Sequence, residues 1–122
     1  MAVEVMINGK PVKLGRPPKI SAIFEVLSIL DDRPLLGSAA ALSLAWEAGG
    51  SPHPPARWSK CKGPISYGET AFEAIMKLNL GSNAYRDLVQ AALEVLTADL
   101  PNFQNAEDKA KNSEAGEDQQ TS

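Results

Sequence analysis

Prolines and glycines, nine of each in 122 residues, divide this chain into short pieces, none approaching the roughly 20 apolar residues of a membrane-spanning helix. What lies between the breaks is patterned. Val3, Val5 and Ile7 alternate with Glu4 and Met6, Asn8-Gly9 supplies the residues of a type I′ turn, and Val12 and Leu14 resume beyond it. A β-hairpin over residues 2–14 is predicted. Pro11 has no amide to donate, which puts its strand at an edge, and a lone two-stranded ribbon is marginal until it packs on helices or joins another sheet.

Helical spacing takes over after Pro17-Pro18. Ser21 offers a cap for a helix over residues 21–30, with Ile20, Ile23, Phe24, Leu27 and Leu30 as its apolar face. Asp31 and Asp32 offer the next cap, Pro34 suits a first turn where its missing amide is harmless, and a helix over 33–48 runs to Gly49-Gly50. Gly37, Ser38 and the alanines 39–41 make its middle small enough for packing on more than one side. A third helix, 69–80, carries Phe72, Ile75, Met76 and Leu80 and stops at Gly81. Ser82 caps a fourth, 83–99, striped by Tyr85, Leu88, Val89, Ala92, Leu93 and Leu96 and ended by Leu100-Pro101. The predicted fold is α+β, mostly α: an N-terminal hairpin followed by about four helices, with a long Pro/Gly-rich loop between the second and third.

Length fits one domain, placed at residues 1–103. From Gln104 onward no large apolar side chain occurs, so 104–122 is predicted to be a disordered acidic tail. The chain has 12 Lys/Arg and 15 Asp/Glu; the tail holds two of the former and five of the latter, leaving ten against ten in the domain. A neutral domain lacks the basic footprint usual for holding phosphates, which argues against nucleic acid as the main partner. The single cysteine, Cys61, excludes an intrachain disulfide, and the first twenty residues show neither a signal nor a transit composition, so a cytoplasmic protein with no membrane association is expected.

Chemistry-bearing patterns are few. His53 and Cys61 share the loop 49–68, but one of each, without ligand spacing, makes neither a nucleophile–base pair nor a metal site. Glu69 and Glu73 lie one turn apart on a polar helix face, where solvation is the ordinary reading. No nucleotide-cradling glycine spacing is present. No catalytic residue, metal or cofactor is therefore assigned. Within the loop, Trp58, Ile65 and Tyr67 pin the segment to the core, or else Trp58 and Tyr67 face a partner.

The basic segment 10–19 holds Lys10, Lys13, Arg16 and Lys19 and includes Gly15-Arg16-Pro17-Pro18-Lys19, which resembles half of an AT-hook with Leu14 where an arginine would stand. A small DNA-binding regulator using Lys13, Arg16 and Lys19 is the alternative function; Arg57, Lys60 and Lys62 form a second basic cluster. Two prolines setting the direction of the first helix is the plainer explanation.

Residues 36–78 carry a broader resemblance. The run LGSAAALSLAWEAGG, then PPARW, then GPISYGETAFEAIMKL is similar to small proteins of tailed-phage and prophage morphogenesis clusters, and by size and layout to their tail assembly chaperones. The matching residues are Trp46, Pro54, Pro55, Arg57, Trp58, Tyr67 and Gly68. The resemblance implies a non-enzymatic virion-morphogenesis protein of a bacterial host's cytoplasm, working by protein–protein interaction. Its partners would be the tape-measure and tail-tube proteins, with self-association, and Trp46, Arg57, Trp58 and Tyr67 are the partner-binding candidates.

Overall fold

The computed structural model describes residues 3–98, and the predicted 104–122 tail lies outside them. The predicted architecture is present: a two-stranded antiparallel hairpin, β1 (Val3–Ile7) and β2 (Lys10–Leu14), followed by α1 (Ile20–Asp32), α2 (Pro34–Ala48), α3 (Pro64–Met76) and α4 (Ser82–Thr97). Among the described residues no helix is long and apolar enough to cross a membrane.

The hairpin turns through Asn8 (φ 51°) and Gly9 (φ 80°), the left-handed pair of a two-residue type I′ loop. Its register is therefore fixed, with Ile7 opposite Lys10, Met6 opposite Pro11, Val5 opposite Val12, Glu4 opposite Lys13 and Val3 opposite Leu14. Ile7, Val12 and Leu14 are buried on the face turned to the helices.

The centre of the molecule is α2, which packs against α1, α3, α4 and β2. Ala39, Ala40, Ala41, Leu42 and Ala45 are wholly buried, so this helix is apolar over most of its circumference and its small residues let several neighbours approach closely. Tyr67, Ala71 and Ile75 of α3 and Leu88, Ala92, Val95 and Leu96 of α4 complete the same core.

Local expectations fail in instructive ways. α1 starts at Ile20 with Lys19 as its cap residue, so Ser21 lies inside the helix and caps nothing. It buries Ala22, Ile23, Val26 and Ile29, while Ile20 and Phe24 remain 50% and 39% exposed. Ser21, Glu25, Ser28 and Asp32 make an exposed polar stripe opposite a broad apolar arc, and the part of that arc that packs is the one holding Ala22, Ile23, Val26 and Ile29. Asp31 and Asp32 finish α1, and Arg33 alone joins it to α2.

The third helix begins five residues before its predicted start. Pro64, counted as a loop residue, sits in the first turn of α3, where a fixed φ and a missing amide cost nothing. It ends at Met76, because Asn79 takes a left-handed conformation (φ 55°) and stops the helix before Gly81. Met76 is consequently exposed, and Leu80 lies outside the helix. In α4 the cap residue is Gly81, not Ser82.

Candidate functional site

Residues 49–63 remain mostly irregular, with one 3-10 turn at Trp58–Lys60, but they are held closely. Three side chains of α2 do this, Ser43 and, one turn further on, Trp46 and Glu47. Ser43 Oγ, wholly buried, accepts the Ala56 amide at 3.0 Å and donates to the Ala56 carbonyl at 3.2 Å. The Trp46 indole N–H donates to the Pro52 carbonyl at 3.2 Å. The Glu47 carboxylate accepts the Trp58 amide at 3.0 and 3.3 Å and the Tyr67 hydroxyl at 3.3 Å. A polar stripe on a mostly apolar helix thus satisfies backbone groups of the loop laid along it.

Trp58 meets Tyr67 edge to face, with ring centroids 5.0 Å apart and planes at 66°. Tyr67 is buried, and that burial, aided by the nearby Glu47 charge and opposed by the Ser43 hydroxyl, pushes its phenol well above the usual tyrosine range. The folded state therefore holds this proton more tightly than the unfolded chain. Its contribution to stability is complete below about pH 10 and is lost as pH rises further. The melting temperature is expected to fall steeply between about pH 10 and 11, with a shallower fall in Tyr67→Phe. Some slope persists in that variant, because burial also raises Tyr85.

Ser43→Ala tests the loop anchorage. It leaves a buried amide and carbonyl of Ala56 without their partner, and a loss of about 1–3 kcal/mol is expected by denaturant unfolding.

The pinned loop forms one wall of a cleft of about 470 Å³. Pro17, Pro18, Ala22, Leu44, Ala48 and Trp58 give it an apolar lining, and Lys19, Ser21, Glu47 and Ser59 its polar points. Two segments singled out in the sequence, the Pro-Pro-Lys strap and the Trp58 turn, thus face each other although some forty residues apart.

The sequence candidates divide. Trp46 and Tyr67 are buried and serve the loop's internal bonding, whereas Trp58 is half-buried at the cleft and Arg57 is exposed beside it. Of the basic alternative, Lys19 lines the cleft and Lys13 and Arg16 are exposed in the chain leading to it. His53 is exposed with φ 58° and Cys61 is half-buried. Among the described residues no three His, Cys, Asp or Glu side chains gather as a metal would need. Ser43, Glu47 and the cleft floor Leu44 and Ala48 were not singled out in the sequence. The signal available was a serine and a glutamate at i and i+4 on a helix whose one other polar side chain is Ser38. Searches against protein-family models, curated proteins and solved structures each return no match to the chain.

Proposed function

We propose that this chain is a non-enzymatic assembly protein of a tailed phage, acting in the bacterial cytoplasm as a tail assembly chaperone does, by holding an apolar segment of the tape-measure or tail-tube protein. The observation that carries the reading is the cleft: an apolar lining that includes Trp58, on a wall fixed in place by Ser43, Trp46 and Glu47. A prebuilt wall spares the ordering entropy that a loose loop would lose on binding. Burying one bulky partner side chain there contributes about 1.5–3 kcal/mol. The resemblance of residues 36–78 to phage morphogenesis proteins supports the choice of partner.

Trp58→Ala removes the aromatic wall and is expected to weaken partner binding by about 10- to 100-fold, measured by calorimetric titration. An unchanged affinity in a folded variant contradicts the use of this cleft.

A DNA-binding regulator is the second reading, favoured by the cleft's placing Lys19 opposite the turn that carries Lys60. It requires affinity for duplex that collapses as salt rises.

A further inference from the structure

The two edges of the hairpin are not alike. Across a two-residue turn the opposed pairs alternate between those that exchange hydrogen bonds and those that do not, so Ile7, Val5 and Val3 bond to β2 while the backbone groups of Met6 and Glu4 point the other way. On β2 the corresponding outward positions are closed. Pro11 has no amide, the Lys13 amide donates to Ser51 Oγ at 2.8 Å, and the Gly15 amide beyond the strand donates to the Ala45 carbonyl at 2.8 Å. On β1, the Glu4 and Met6 amides make no hydrogen bond to any described residue. An open strand edge is a template for another strand.

Beside that edge runs a groove of about 460 Å³, lined by Val5, Met6 and Asn8 on one side and by Leu80, Ala84, Asp87 and Leu88 among the residues opposite. Asn8 Nδ2 donates to the Leu78 carbonyl at 3.0 Å and ties the hairpin turn to the corner between α3 and α4. The groove's far wall is thus the first half of α4, so a strand added at the open edge would run beside that helix. Its one charged lining residue is Asp87, exposed and in no ion pair with a described residue.

We infer that β1 binds an extended peptide as a third strand, through the Glu4 and Met6 backbone, with the peptide's alternate apolar side chains against Leu80, Ala84 and Leu88 and a basic side chain at Asp87. Strand addition takes affinity from main-chain hydrogen bonds and selectivity from the pockets for alternate side chains. This site is separate from the cleft at Trp58 and stands or falls independently of it.

The test uses the full chain and two capped octapeptides that alternate threonine with an inward-facing series of three valines and one charged residue, lysine in the valine–lysine peptide and glutamate in the valine–glutamate peptide, followed by amide exchange and chemical shifts up to about 2 mM peptide. The valine–lysine peptide is expected to slow exchange at Glu4 and Met6 at least about tenfold while leaving Val5 and Ile7, already bonded to β2, unchanged. The valine–glutamate peptide should bind about tenfold more weakly, and Asp87→Lys should reverse that order. Met6→Pro closes the edge without touching the hairpin ladder, since Pro11 already stands opposite in the equivalent outward position. It should abolish binding while retaining the wild-type spectrum elsewhere. Unchanged exchange at Glu4 and Met6, or equal binding by Met6→Pro, overturns the proposal. So does a dimer of the chain that Met6→Pro converts to monomer, which assigns the edge to a second copy.

Discussion

Alanine at position 37 is expected to destabilise the protein by about 3 kcal/mol or more, lowering the melting temperature by roughly 15 °C. Gly37 lies where α2 crosses α1, and a Cβ there would fall inside van der Waals distance of the Cα and backbone nitrogen of Leu30. Backbone cannot swing aside as a long side chain does. The two helices, joined only through Arg33, would have to separate, and the α2 residues that organise the core would move with them. Gly63→Ala is the matched control, because nothing lies within 4 Å of a Cβ at that position. It should change stability by less than about 1 kcal/mol, the loss of a favourable cap residue on α3 being its one cost. Equal effects of the two substitutions in thermal unfolding would contradict the close approach of α1 and α2.

A loss of similar size, about 3 kcal/mol, is expected for Gly49→Ala at the other end of α2. Here a Cβ would collide with the Lys13 carbonyl, where β2 passes the helix terminus. Gly49 has φ −75°, so backbone conformation does not require glycine and the cost is purely one of space. The neighbouring Gly15 amide donates to the Ala45 carbonyl, and Lys13 donates to Ser51, so the collision falls on the seam that fastens the hairpin to the helices. Amide exchange should therefore accelerate first at Lys13 and Gly15. Loosening confined to α3 would contradict this assignment.

The same seam shows what sequence can convey. Asn8-Gly9 names a turn type and so a register, and the alternation around it names the buried face; both are local properties of a few residues. The α2 segment was also legible, since alanines, glycine and serine in sequence admit neighbours on more than one side. α1 was legible only in part, because its apolar arc is wider than the face that packs, and which side of the arc is buried depends on a partner outside its own sequence. The start of α3 was hidden for a different reason. Gly63-Pro64 breaks a chain and also begins a helix, and only Tyr67 and Gly68 settling against α2 decide between the two.

Of the candidate site, Trp58 and Lys19 were visible as residue types, but their meeting across one cleft was not. It depends on Ser43 and Glu47 drawing the loop along α2, through bonds between residues 11 and 13 positions apart. Nothing in the composition of the loop announces such anchorage. The strand edge was half visible: Pro11 marks β2 as unable to pair further, and the open side of β1 follows only once the register is known.

Binding to a polypeptide through an apolar cleft and binding to duplex through lysines respond oppositely to salt. Titration of the full chain with the kind of partner proposed for it, a tape-measure protein, at about 0.05 and about 0.5 M salt, separates them most directly. The expected result is an affinity constant within about threefold across that range and weakened at least about tenfold by Trp58→Ala. An affinity that falls about a thousandfold or more with salt, or one that Trp58→Ala leaves unchanged, would contradict it.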